Sequence, residues 1–140
     1  MIHYFYTLVN KLKKYFSYFT HFIDIIIIGE IMKIIIDDKD IEIKKANTLF
    51  KRFKGLMGKK NITYGMLFKK CNSIHTFFMK ENIDVIGLDN TNTIIYKCVN
   101  LEKNKVLGVN NPKKNTSILE LPQNTSKHLK IGDKLTFIGK

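Results

Sequence analysis

Between residues 32 and 138, apolar and polar side chains alternate with a period of two along most short segments. Such alternation is typical of β-strands that bury one face. The pattern predicts a hairpin at 34–43 with an acidic turn, and further strands at 66–69, 74–79, 83–88, 93–101, 105–109, 117–121 and 134–138. Turn-forming sequences at 89–92 and 110–112 separate several of these strands, and residues 124–129 fit one helical turn.

Within residues 32–138, one segment has helical spacing and predicts a helix over approximately 47–57. Asn47 is a suitable N-cap and Gly58 suits the C-terminal end. The apolar face between them is formed by Leu49, Phe50, Phe53 and Leu56 or Met57. Many short strands with a single substantial helix predict a mainly β (α+β) fold, a compact antiparallel β-sandwich or barrel-like domain with one short packed helix. We expect residues 32–140 to form this single domain.

Residues 1–31 have a different pattern, in which apolar side chains follow the spacing of an amphipathic helix. Asp24 interrupts the apolar run, which is shorter than the roughly 18 to 20 residues of a membrane span. No alanine precedes Ala46 to supply the exit site of a signal peptide. Two interpretations stay open: an interfacial helix at the membrane periphery, or a misassigned start codon upstream of Met32, which would make the protein cytoplasmic.

The charge pattern predicts an anionic partner. The chain has a formal net charge of +12, and no Asp or Glu occurs between Ile43 and Lys80. A small anionic ligand or an anionic membrane surface fits this pattern. However, a composition rich in Lys, Ile and Asn with one alanine is typical of A/T-rich coding DNA, so a solvated lysine face is the alternative. The basic segment 44–70 has no recognised RNA-binding module, which leaves weak nucleic-acid binding as a disfavoured alternative.

Few side chains are candidates for chemistry. Arg52 is the single arginine, and its planar guanidinium fits either a clamp on a carboxylate or phosphate or a structural ion pair with Asp84, which we favour. His75 is either a general base or a histidine that ties a strand to a loop carbonyl. Asp84, Asp89 and Glu120 are scattered acids, and the sequence does not define whether they converge.

The sequence predicts neither a metal nor a cofactor. Cys71 and His75 would lie roughly 13 Å apart on one strand, too far to share a metal ion. Cys98 is not part of a Cys-x-x-Cys pair either, so both cysteines are expected to be reduced. The glycines at 55, 58 and 65 lack the spacing of a phosphate-binding loop. An ordinary core is favoured over an apolar pocket for Met57, Met66, Phe68, Phe77, Phe78 and Met79.

Six sequence blocks occur in a recognisable order: RFKGLMG (52–58), GMLF (65–68), CNSIHTFFMK (71–80), IDVIGLD (83–89), LELP (119–122) and IGD (131–133). With them, roughly residues 33–138 resemble the bacterial and archaeal family known as domain of unknown function number 192. The resemblance implies a small β-sandwich fold with a helix packed at one side. It implies no reaction, because that family has none assigned, and it implies a place near the cell envelope, because many relatives look exported.

These features favour a non-enzymatic binding or accessory module, expected to be a monomer, that recognises a small anionic ligand or an envelope partner protein. The predicted ligand-binding residues are Arg52, Lys54, His75 and Lys80. The alternative is a hydrolase-type enzyme that uses His75 with Arg52 and Asp84, in which His75 and Asp84 are the catalytic candidates. The ligand and the reaction are not defined by the sequence.

Overall fold

The structure is a computed structural model of the chain and describes residues 32–109 and 116–139. In chain order the elements are β1 (Met32–Ile36), β2 (Lys39–Lys45), α1 (Leu49–Lys54), β3 (Gly65–Phe68), β4 (Ser73–His75), β5 (Ile83–Leu88), β6 (Ile94–Leu101), β7 (Val106–Gly108) and β8 (Ser117–Pro122). The predicted mainly β fold with one short helix is confirmed. Within the described ranges no helix has the length and apolar character to cross a membrane. The segment 1–31 and the turn at 110–112 lie outside the described residues.

Six strands form one sheet in the order β1-β2-β3-β8-β5-β6, and β4 pairs with β7 in a second, two-stranded sheet. Neighbouring strands are antiparallel except β2 and β3, which run parallel, with Ile43 opposite Gly65 and Lys45 opposite Leu67. A parallel neighbour requires a crossover connection, and residues 46–64 with α1 supply it. The expected antiparallel arrangement therefore holds except at this pair.

The segment after β8 joins the two edges of the six-stranded sheet. Lys134 forms a bridge with Thr93, immediately before β6. Ile138 exchanges two backbone hydrogen bonds of 2.8 Å with Lys33 on β1. Because β1 and β6 are the two outermost strands, these bridges give the sheet a barrel-like closure. The strand predicted at 134–138 is thus two isolated bridges rather than a continuous strand.

Alternation along the strands divides the apolar side chains between two clusters. On β8, Leu119 and Leu121 belong to the cluster that includes side chains of β1, β2 and residue 135, which fills the closed sheet. Ile118 belongs to the other cluster, together with Leu56 after α1 and Ile74 of β4. Since side chains alternate along a strand, Glu120 shares the face of Ile118, beneath α1 and the small sheet.

The helix is shorter than predicted and capped one residue later. Thr48, not Asn47, is the N-cap, and its side chain accepts a hydrogen bond from the N–H of Lys51 at 3.1 Å. The helix ends at Lys54 because Gly55 adopts a φ of 47° and a ψ of −128°, which leaves the helical region. The predicted location is right, but the extension to residue 57 is wrong.

The predicted strand at 74–79 ends at His75. Thr76 is fully buried, and its hydroxyl makes hydrogen bonds of 2.7 and 2.9 Å with backbone groups of the loop before β7. The chain turns at this point, which leaves Phe77 exposed and Met79 buried. The strand predicted at 74–79 therefore ends four residues earlier than predicted.

Candidate functional site

A cavity of about 120 Å³, which we call the α1–β4 cavity, lies among α1, the turn after it, β3, β4 and β8. Its polar lining consists of Arg52, Lys54, Cys71, Ser73, His75 and Glu120. Its apolar lining consists of Phe53, Gly55, Leu56, Met57, Phe68, Ile74 and Met79. A mainly apolar wall with a few polar groups is the usual composition of a small-molecule site.

Glu120 is the buried acid of this cavity, with only 3% of its surface exposed. The backbone N–H of Leu56 donates a hydrogen bond to its carboxyl group. Its Oε2 atom has no hydrogen-bond partner in the part of the chain that the structure describes. Burial raises the pKa of Glu120 from 4.5 to about 8, and the Leu56 hydrogen bond offsets only part of this rise. The carboxyl is therefore mostly protonated at pH 7.

Gly55 lets the backbone pass close to this carboxyl. A Cβ atom at this position would lie 3.2 Å from Oε2 of Glu120 and 3.3 Å from Cζ of Phe68. The positive φ of Gly55 is also one that residues with a side chain adopt only with strain. Glycine thus serves two purposes here, since it ends α1 and leaves room for the Glu120 carboxyl under the helix.

His75 supplies a second buried polar atom, its Nδ1. The imidazole stacks on Phe77 with ring centroids 5.2 Å apart and meets Phe53 edge-on at 6.0 Å. In a neutral imidazole, Nδ1 donates or accepts a hydrogen bond according to the tautomer. Within residues 32–109 and 116–139, Nδ1 of His75 and Oε2 of Glu120 are the two buried side-chain atoms without a hydrogen-bond partner. Both residues line the same cavity.

Arg52 holds the segment that follows β3. Its Nη1 donates to the carbonyl of Lys69 at 2.8 Å, and its Nη2 donates to the carbonyl of Lys70 at 3.5 Å. The predicted ion pair between Arg52 and Asp84 is not formed, so that interpretation is wrong. A guanidinium has five N–H donors, so two backbone carbonyls leave other donors for a ligand.

Asp84 is a structural residue outside the cavity lining. It is fully buried, and its carboxylate accepts hydrogen bonds of 2.7 to 2.9 Å from three backbone N–H groups and from the hydroxyl of Ser126. These four bonds fasten β5 to β6 and to the turn after β8. Arg52 and His75 thus share a cavity, whereas Asp84 does not join them.

The remaining predicted residues divide between the cavity and the surface. Lys54 lines the cavity, whereas Lys80 is exposed and is not part of its lining. Cys71 is unpaired, and its thiol donates to the carbonyl two residues later at 3.1 Å. Among the described residues, no three His, Cys, Asp or Glu side chains are grouped as metal ligands. The basic segment 44–70 as a nucleic-acid surface stays a prediction.

Glu120 is the site residue to which sequence reasoning assigned no role. The available signal was its position between two leucines in a predicted strand. Burying an acid is costly, so an acid within such an apolar segment is unusual. The set considered for an apolar pocket is split by the structure. Met57, Phe68 and Met79 line the cavity. Met66 lies in the core, and Phe77 and Phe78 are exposed.

Known proteins resemble this chain in sequence and fold. The model of the DUF192 family, described as "Uncharacterized ACR", matches residues 32–137. A UPF0127 protein of Thermococcus sibiricus is 44% identical over 59 residues, and this match spans only 38% of that relative's length and 38% of this chain.

Two crystal structures have a similar fold. A protein of unknown function from Novosphingobium aromaticivorans has a TM-score of 0.61 at 17% identity, covering 76% of this chain and 83% of its own. A Sinorhizobium meliloti protein, provisionally described as a transcription regulator, has a TM-score of 0.62 at 18% identity. The match covers 79% of this chain and 94% of that protein. Identities this low carry the fold and nothing further.

Proposed function

Given that the chain belongs to the DUF192 family of uncharacterised proteins, we propose that it is a non-enzymatic binding protein for a small anionic ligand. One observation carries this proposal. Among the described residues, both buried side-chain atoms without a hydrogen-bond partner, Oε2 of Glu120 and Nδ1 of His75, belong to the lining of the α1–β4 cavity. Buried polar groups in folded proteins are nearly always hydrogen-bonded, and a ligand in this cavity would supply partners that the protein itself does not.

The charge of the wall favours an anion. Arg52 and Lys54 bring positive charge to the lining, and Glu120 is the single acid among its residues. Because burial raises the pKa of Glu120 to about 8, this acid brings little negative charge at pH 7. The wall is therefore positive on balance, and a cation would be repelled.

The test is a thermal-shift titration of the full chain at pH 6.5 with acetate, butyrate, benzoate and inorganic phosphate, and with sodium chloride at equal ionic strength. A ligand at a hundred times its Kd adds about 2.7 kcal/mol to the free energy of unfolding, enough to raise Tm by several degrees. Lys54→Gln should weaken the shift. Lys39→Gln removes the same charge from the β1–β2 hairpin, outside the cavity lining, and should leave the shift unchanged. A flat response to every anion overturns the proposal.

A second candidate function is acid–base catalysis, favoured by a carboxyl of pKa about 8 that shares a cavity with an imidazole. In this version Glu120 takes the place that the sequence suggested for Asp84. Cys71 is not an activated nucleophile here, because its thiol is hydrogen-bonded to a backbone carbonyl. Turnover of a chromogenic ester that is lost in His75→Ala would favour the enzyme, whereas binding without turnover would favour the binding protein.

A further inference from the structure

We infer that the ligand of the α1–β4 cavity is a small monocarboxylate, whose carboxylate group accepts a hydrogen bond from the protonated carboxyl of Glu120. This inference rests on the proposed function and narrows its ligand to one chemical class. It also predicts that binding requires a proton on the protein.

The first step concerns the hydrogen-bond chemistry of Glu120. The Leu56 N–H already donates to this carboxyl, and Oε2 has no partner in the described residues. A protonated carboxyl has one O–H donor, so the unpartnered oxygen can donate to a ligand acceptor. A ligand carboxylate is the strongest acceptor of this kind, because a hydrogen bond to a charged oxygen is roughly twice as strong as a neutral one.

The second step concerns the number of donors. A carboxylate has two oxygens, and the cavity offers a second buried group in Nδ1 of His75. The ring contacts Phe53 and Phe77, and its Nδ1 donates to the ligand in the tautomer that carries the proton on this atom. The guanidinium of Arg52 on the same wall supplies a charge opposite to that of the carboxylate.

The third step concerns the body of the ligand. Leu56, Phe68, Ile74 and Met79 are buried side chains that line the cavity. Their apolar surface favours a hydrocarbon group, which phosphate and sulfate lack. A cavity of about 120 Å³ is slightly smaller than an apolar cavity of roughly 150 Å³ that holds benzene. A carboxylate of the size of butyrate fits this volume.

The fourth step concerns pH. The titratable or charged groups that line the cavity around Glu120 are Arg52 and Lys54 of α1, Cys71 after β3, and His75 of β4. Ionisation of Glu120 removes the O–H donor and places two like charges together, so carboxylate affinity falls as pH rises through the Glu120 pKa. With that pKa at about 8, Kd should rise roughly 30-fold between pH 7 and pH 9.5.

The experiment is isothermal titration calorimetry of the full chain with butyrate, butyramide, n-butylamine and inorganic phosphate at pH 7 and pH 9.5. We expect butyrate to bind most tightly at pH 7 and to lose roughly 30-fold at pH 9.5. Glu120→Gln keeps a donor in its amide group but cannot titrate, so its butyrate affinity should change much less between the two pH values. Since the two proteins differ only at residue 120, the comparison isolates Glu120. Glu102→Gln, which alters an exposed acid outside the cavity lining, should behave as the wild type does.

Several outcomes would overturn the inference and stay distinct from failure of the proposed function. Tighter binding of phosphate than of butyrate would overturn the monocarboxylate but keep an anion-binding protein. A butyrate Kd that changes equally with pH in the wild type and Glu120→Gln would overturn the role of the Glu120 proton alone. Tighter binding of n-butylamine than of butyrate at pH 7, or no binding by any compound, would overturn both.

Discussion

Glu120 should make the folded protein less stable as the pH rises. Its pKa is about 8 in the fold, against an ordinary value of 4.5 that we take for the unfolded chain. Between these two pH values the folded protein holds a proton that the unfolded chain has released. The stabilising contribution of this proton is complete below pH 4.5, and it is lost as the pH rises through 8.

The size of the effect follows from the same two values. One pKa unit corresponds to about 1.4 kcal/mol, so the whole shift is equivalent to roughly 5 kcal/mol. Between pH 5.5 and pH 7.5 the free energy of unfolding should fall by roughly 2–3 kcal/mol because of this one group. The free energy of unfolding of a small domain is only about 5–15 kcal/mol, so this loss is large enough to measure.

The assay is urea unfolding of the wild type and Glu120→Gln at pH 5.5, 6.5 and 7.5. A glutamine side chain has nearly the same shape as glutamate and stays neutral at every pH. The Glu120→Gln variant therefore lacks the titration of residue 120. Every other ionisable group is present in both proteins, so its contribution cancels in the difference. We expect the free energy of unfolding of Glu120→Gln to rise by roughly 2–3 kcal/mol relative to that of the wild type between the lowest and highest pH. A difference that stays constant over this range would refute the buried, protonated carboxyl.

Three further predictions can be checked by urea unfolding. Asp84→Ala should cost about 3 kcal/mol or more, because it leaves buried donors without an acceptor, and a loss under about 1 kcal/mol would contradict its structural role. Gly55→Ala should lower the free energy of unfolding by about 1–3 kcal/mol and weaken butyrate binding. The control is Gly58→Ala, because Gly58 also has a positive φ but an added Cβ there would have no atom within 4 Å. It should cost roughly 1 kcal/mol and leave binding intact. Thr76→Val should cost about 1–3 kcal/mol through its two lost hydrogen bonds, and an unchanged stability would argue against them.

The strands could be predicted where the local pattern alone decides the structure. The strand 83–88 has its predicted bounds because turn-forming residues and a continuous buried segment define it. The end of β4 at His75 could not be predicted, because the hydrogen bonds of the next residue, Thr76, determine where this strand ends. That side chain bonds to a loop more than twenty residues away, and no local alternation records such a contact.

The candidate site was predictable only in part. Arg52 and His75 are conspicuous because each is the single residue of its type in the six sequence blocks of this lysine-rich chain, and both line the cavity. The burial of Glu120 arises only when the crossover after β2 lays α1 over β8. Asp84 was misassigned for the same reason, since its partners come from β6 and from the turn after β8.

The bridges that close the sheet also bear on the order of folding. Lys33 and Ile138 lie at opposite ends of the described domain, so their pairing is among its most non-local contacts and is expected to form late. During synthesis from the amino terminus, the outer edges of β1 and β6 lack the partners supplied by residues 134–138 until those residues leave the ribosome. Unpaired strand edges are templates for pairing with other chains. Residues 134–138 therefore cover strand edges that would otherwise be open to association with other copies of the chain.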